Sequence, residues 1–147
     1  MSTRLVETLA FLSLAAAALE QTASAPQTFK NLQMTVTGVE RAQRASLKDC
    51  PPGTNTVSAM ARAGEQYSLV TVAFKVLPGF QPSPMKRASV VASDDKTYNT
   101  SVQFVDVGSV PDYSCTFPFR VPEGTKLKSL QIESVTFDLS AMDGKTP

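Results

Sequence analysis

Residues 66–77 alternate strictly: Val70, Val72, Phe74 and Val76 fall on one side of an extended backbone, and Thr71, Ala73 and Lys75 fall on the other. A period of two gathers apolar side chains onto one face only in a strand, because a helix would spread them around its circumference. The same period returns in Leu32, Met34 and Val36, with Asn31, Gln33, Thr35 and Thr37 between them. It returns again in Tyr113, Cys115, Phe117, Phe119 and Val121. These three stretches are therefore half-buried strands, each with its apolar set turned to a core. Gly38 shifts the phase before Val39, as a bulge would.

Shorter strands follow the same logic. Residues 88–92 and 97–107 read as two strands joined by the turn Ser93-Asp94-Asp95-Lys96, which implies a hairpin. Residues 127–139 read as one final strand. Leu130 and Ile132 share a face there, and Val135, Phe137 and Leu139 resume one residue out of phase, which predicts a bulge near Glu133-Ser134. Pro78-Gly79 and Pro122-Glu123-Gly124-Thr125 are breakers. Pro118, inside a strand, must turn its nitrogen away from a ladder partner or mark an edge. Residues 47–65, dense in Pro, Gly and Asn, form a loop in which residues 58–63 could make a helical turn stopped by Gly64. No internal repeat is visible. Six or seven strands with no long helix after the N-terminus indicate an all-β chain, an antiparallel β-sandwich.

The first residues have a different character. One positive charge at Arg4, an apolar run through Leu9, Phe11, Leu12 and Leu14, and a small-residue end at Thr22-Ala23-Ser24-Ala25 make the three parts of a secretory signal peptide. An Ala- and Leu-rich first helix is the alternative reading. The expected organisation is a signal peptide over residues 1–25, a single sandwich over 26–140, and a flexible C-terminal tail over 141–147. A length of 147 residues suits one domain. The leader implies a secreted or periplasmic protein with no membrane span once it is removed. The two cysteines, Cys50 and Cys115, fit that compartment as one disulfide, with two buried free thiols as the alternative.

Composition removes several kinds of chemistry. The chain has no His, the usual general base, partner of a nucleophile and transition-metal ligand. Triads, zinc hydrolases and blue-copper sites become hard to build, and no cofactor or metal is expected. With 14 Lys+Arg against 13 Asp+Glu, the net charge of +1 supplies no footprint for nucleic acid or an anionic membrane.

Three stretches carry a family resemblance. They are Gly64-Glu65-Gln66-Tyr67-Ser68-Leu69-Val70-Thr71-Val72-Ala73-Phe74-Lys75-Val76, then Val90-Val91-Ala92-Ser93-Asp94-Asp95-Lys96-Thr97-Tyr98, then Phe117-Pro118-Phe119-Arg120-Val121-Pro122-Glu123-Gly124 with Leu127 and Leu130. In this order they resemble the immunoglobulin-like domain of bacterial secreted proteins and lipoproteins, a group that includes the immunoprotective extracellular antigens. The resemblance spans roughly residues 28–139. It implies an exported immunoglobulin-like sandwich of about seven strands from a bacterium, and it carries no catalytic residues. Tyr113-Ser114-Cys115 also looks like the Tyr-x-Cys of true immunoglobulin domains, although Trp is absent and Cys50 lies in a Pro-rich loop.

Individual residues add few candidates. Asp94-Asp95 could contribute to a calcium site, but a dedicated one needs six to eight oxygens, and a solvated turn is the plainer reading. Asn99-Thr100-Ser101 is a glycosylation sequon. Arg41, Arg44 and Lys48 form a small basic cluster or a mixed solvated face. The loop carrying Phe80, Met85, Lys86 and Arg87 is the expected interaction surface, unless its apolar residues close one end of the core. The expectation is a non-enzymatic exported binding or cell-envelope-associated module of unknown ligand. An exported hydrolase using carboxylates or a Ser/Lys pair, and a structural surface subunit polymerising through edge strands, are the alternatives.

Overall fold

The computed structural model describes residues 23–45, 50, 59–102 and 111–143. Ten strands follow in chain order: β1 (Gln27–Phe29), β2 (Leu32–Ala42), β3 (Arg44–Ala45), β4 (Ala59–Met60), β5 (Glu65–Val76), β6 (Ser89–Ala92), β7 (Thr97–Asn99), β8 (Asp112–Pro122), β9 (Leu127–Ile132) and β10 (Val135–Asp138). They form two four-stranded antiparallel sheets, ordered β1-β2-β5-β8 and β10-β9-β6-β7, and a small third ladder of β3 with β4.

The order of pairing is informative. β2 and β5 pair, the chain crosses to β6 and β7, returns at β8 to pair with β5, and crosses again to β9 and β10 beside β6. This is the Greek-key order of an immunoglobulin-like sandwich, with strands of A, B and E type in one sheet and of G, F, C and C′ type in the other. The expected antiparallel β-sandwich is the fold.

The alternating residues meet between the sheets. Val70, Val72 and Phe74 of β5, Met34 and Val36 of β2, and Phe117, Phe119 and Val121 of β8 are buried against Val90 and Ala92 of β6, Leu127, Leu130 and Ile132 of β9, and Phe137 of β10. Each fully buried side chain of this size contributes about 1.5–3 kcal/mol by leaving water. The register of β2 on β5 shifts between Val36 and Gly38, so the bulge expected at Gly38 is present. The hairpin expected at residues 93–96 joins β6 to β7, with Asp95 in the left-handed region at φ 63°.

Pro118 lies in β8, an edge strand of its sheet. Its carbonyl accepts the Thr100 hydroxyl at 2.9 Å and the Ser101 N–H at 3.4 Å on the side away from β5. A residue's N–H and C=O share one direction in a strand, so the donor that proline lacks would have pointed away from β5 as well.

The structure departs from the sequence reading in three places. Residues 127–139 form two strands: Val135 pairs with Ile132 and Phe137 with Leu130 in a hairpin turned by Glu133 (φ 53°) and Ser134. Cross-strand partners share a face, which explains the phase change without a bulge. Ala59 and Met60 are extended and pair with Ala45 and Arg44, because a ladder to a neighbour outweighs weak local helix preference. Ser58, where that helical turn would begin, lies outside the described residues. The strand expected over 97–107 ends at Asn99, where Thr100 and Ser101 turn to β8; residues 103–110 lie outside the described residues.

β1 has no counterpart in the sequence reading. It joins β2 through a two-residue turn at Lys30 (φ 45°) and Asn31 (φ 62°). Ahead of it, Ser24 is already part of the fold: its N–H donates to the Val36 carbonyl at 2.9 Å, and its hydroxyl accepts the Val36 N–H at 2.8 Å. At the other end, packing continues past residue 140. Met142 rests on the core and Asp143 is buried, its carboxylate accepting the Leu127 N–H and an Arg41 N–H at 3.3 Å.

Candidate functional site

The strongest covalent feature is a disulfide between Cys50 and Cys115, whose Cα atoms are 4.1 Å apart. Cys115 pairs across the ladder with Val72 and has no exposed surface; Cys50 is half-buried against the same core. The bond fastens the connection between β3 and β4 to β8. An antibody-type disulfide joins strands B and F across the sandwich, whereas here the in-strand cysteine occupies the E-type strand. Tyr113, two residues earlier, likewise stands on the E-type strand, whereas the tyrosine of an antibody-type corner stands on strand F. Its ring stacks on Phe74 with centroids 4.9 Å apart.

The outer face of the β1-β2-β5-β8 sheet is set by the polar alternates of its strands. Gln33 and Thr35 of β2, Ala73 and Lys75 of β5, and Asp112 and Ser114 of β8 surround a shallow open groove of about 390 Å³. Lys75 and Asp112 stand directly opposite each other in the ladder, and both are exposed. Beside the groove the Thr71 and Thr116 hydroxyls hydrogen-bond at 2.9 Å, and Thr37 donates to the Thr71 carbonyl at 3.3 Å. In the sequence these positions stand out only as the solvent side of strands. Their shared face could have been found by aligning the polar alternates of the three long strands.

The loop between β5 and β6 divides its residues. Phe80 and Met85 are half-buried and packed against the core, while Lys86 and Arg87 are exposed. The Lys86 N–H donates to the Glu133 carboxylate, which ties this loop to the β9–β10 turn. The apolar members thus pack onto the core, and the charged side chains of Lys86 and Arg87 are left exposed.

The acidic turn is occupied by its own neighbours. Asp94 accepts the Tyr98 O–H at 2.5 Å and the Lys96 N–H at 3.0 Å. The tyrosine hydrogen bond holds the Asp94 carboxyl below the usual carboxylate range and pushes the Tyr98 hydroxyl above its usual value. Asp95 is directed elsewhere, to Lys128, in an exposed pair that adds little stability. Similarly, Ser140 donates to Asp138 and lowers its pKa. Among the described residues no group of three or more His, Cys, Asp and Glu could hold a metal ion.

The remaining candidates separate in the same way. Of the basic cluster, Arg41 reaches Asp143, Arg44 is exposed, and Lys48 lies outside the described residues. In the sequon, Asn99 is exposed and Thr100 is buried with its hydroxyl committed to Pro118. No helix among the described residues is long and apolar enough to cross a membrane.

Fold and disulfide together define an immunoglobulin-like β-sandwich with a single covalent staple. No family profile matches the sequence, and no characterised protein matches it in sequence. Among solved structures, the fold is similar to that of an uncharacterized β-sandwich protein from Clostridium difficile 630, with a TM-score of 0.50 and 10% identity. The similarity covers 77% of this chain and 87% of that one, and it establishes a common sandwich architecture.

Proposed function

We propose that this protein is an exported, non-enzymatic immunoglobulin-like domain that acts as a binding or cell-envelope-associated module outside the cytoplasm. The observation that carries the reading is the Cys50–Cys115 disulfide, joined to a chain whose first residues have the three-part pattern of a secretory leader. Disulfides persist in oxidising compartments and are rare in the reducing cytosol. The resemblance to secreted bacterial immunoglobulin-like domains of the immunoprotective-antigen type points the same way. A binding role is also favoured by how the polar side chains are used: Asp94, Asp95, Asp138, Asp143 and Thr100 are engaged in holding turns, edges and loops.

The test is expression of the full chain in a bacterium, followed by fractionation and mass spectrometry of the non-reduced protein. A processed N-terminus and a Cys50–Cys115 cross-linked peptide in the periplasm or medium are expected. Recovery from the cytoplasm with the leader intact and both thiols free would overturn the reading.

A further inference from the structure

We propose that the groove on the outer face of the β1-β2-β5-β8 sheet, where it crosses β2, β5 and β8, binds a neutral saccharide chain. This rests on the binding role proposed above and gives it a ligand class. The groove follows from the register of two ladders. Thr35 pairs with Ala73, and Ala73 with Ser114, so one row across the three strands carries only short side chains. The row beside it, Gln33, Lys75 and Asp112, is in the same register and carries longer ones. On the other flank Thr71 pairs with Thr116, and their hydroxyls hydrogen-bond at 2.9 Å. Thr116 points outward from the sheet, since Cys115 and Phe117 on either side of it point into the core, yet it is only 8% exposed. The surface therefore rises along this flank, and the short row between two taller ones is the floor of the groove of about 390 Å³. Neighbouring strands lie about 4.8 Å apart, so the floor spans roughly 10 Å from β2 to β8.

The lining sets the chemistry of what fits. Gln33 offers an amide that both donates and accepts, Thr35 and Ser114 a hydroxyl each, Lys75 donors only and Asp112 acceptors only. None of these five side chains makes a hydrogen bond or ion pair with another of the described residues. That holds even for Lys75 and Asp112, which stand opposite each other in the ladder, where an ion pair is an ordinary outcome. Their heads are therefore free to turn to a ligand without breaking a bond first, and the ladders beneath hold the floor in place beforehand. One cation and one anion side by side leave the groove without net charge. A polyanion would meet Asp112 and a polycation Lys75. An apolar ligand would gain little, because the rings of Phe74 and Tyr113 are turned to the core and the floor holds only a methyl between two hydroxyls. Vicinal hydroxyls, each able to donate and to accept, satisfy the whole set: they donate to Asp112, accept from Lys75 and do both with Gln33, Thr35 and Ser114. A sugar presents such hydroxyls along its length, and the open ends of the groove let the chain continue.

The test is titration of the isotope-labelled, disulfide-bonded protein with cellotetraose, maltotetraose and chitotetraose, and with tetra-alanine as an uncharged-side-chain peptide of similar length, followed by amide NMR shifts. At least one oligosaccharide should shift the amides of Thr35, Ala73 and Ser114, with a dissociation constant of about 1 mM. Added salt should leave that constant unchanged, because the ligand carries no charge to be screened. Ala73→Arg, which fills the floor from an outward position, should weaken binding by about tenfold or more at an unchanged melting temperature. If that variant melts early, Asp112→Ala, at an exposed position, carries the test with a loss of about fivefold. The inference is overturned if none of the three oligosaccharides shifts these amides, if tetra-alanine shifts them more, if salt abolishes the response, or if both variants bind as the parent does. Each of those results leaves the export reading standing, because that reading is tested by where the chain is recovered and whether its cysteines are joined.

Discussion

Reducing the Cys50–Cys115 bond should cost more than any surface substitution in this protein. The bond closes a loop with a sequence separation of 65. In the chain-entropy description, a loop of that length restricts the unfolded chain enough to stabilise the fold by about 4 kcal/mol. That is a large part of the 5–15 kcal/mol typical of a domain. The assay is urea unfolding of the oxidised protein and of the same protein held in reductant, so that no atoms are removed from the core. At a slope of about 1.5 kcal/mol per molar, the midpoint should fall by about 2–3 M. Thermal denaturation should show a loss of about 15 °C. A second readout follows from the burial of the two sulfurs. In reduced, still folded protein, a thiol reagent should label half-buried Cys50 before Cys115, which has no exposed surface. Midpoints that coincide within about 0.5 M would refute the entropic argument, because the unfolded chain would then be equally restricted with and without the bond.

Asp143→Ala should destabilise by about 1–3 kcal/mol, because the buried Leu127 N–H loses its acceptor, while Arg41→Ala should cost under about 1 kcal/mol; equal effects in urea unfolding would contradict that division. Tyr98→Phe should raise the Asp94 titration toward the ordinary carboxylate range, with Lys96 still holding it down, as followed by carboxyl NMR shifts. The sign is fixed by the direction of the shift. A carboxyl held low in the folded state contributes stability that is fully present above the ordinary range and is lost as pH falls below it, through the lowered value of the folded state. Identical Asp94 titrations in the two proteins would exclude the tyrosine as the cause. Finally, Phe80→Ser and Met85→Ser should each lower stability by about 1 kcal/mol if these side chains cover the core; unchanged urea midpoints would restore them as free docking residues.

The long strands were legible because their two faces meet different surroundings. In β5 every second residue enters the core, and no other element gives Val70, Val72 and Phe74 a common side. The hairpin of β9 and β10 was less legible, because a bulge and a two-residue turn both displace the apolar phase. Glu133-Ser134 contains neither the Gly nor the Asn that ordinarily announces such a turn. What selects the hairpin is tertiary: β9 is held on its other side by β6, so the chain must reverse to bury Val135 and Phe137. β1 has a single apolar residue, Phe29, and owes its place to the Lys30-Asn31 turn and to β2. Asp143 was hidden for the opposite reason. The polar run Asp143-Gly144-Lys145 reads as a tail, and only the tertiary partners of the carboxylate, the Leu127 amide and Arg41, give it a reason to be buried.

The edges bear on whether this sandwich assembles through strands, as the structural-subunit alternative requires. An exposed ladder of N–H and C=O groups is what a second chain would pair with. On β8 the outward carbonyl of Pro118 is taken by Thr100 and Ser101, and proline offers no donor there. On β10 the carbonyl of Thr136 accepts the Gln27 side chain at 2.6 Å, so that β1 closes this edge from the opposite sheet. The remaining edge of the second sheet, β7, is three residues long. A second copy pairing on β8 or β10 would have to displace these contacts before forming its own, and β7 and β1, each three residues long, offer only short ladders. Size-exclusion chromatography should therefore give one elution volume as the concentration is raised a hundredfold. If larger species do grow with concentration, Gln27→Ala should promote them by freeing the β10 edge. Growth that ignores this substitution would place the assembly surface elsewhere and remove the edge argument.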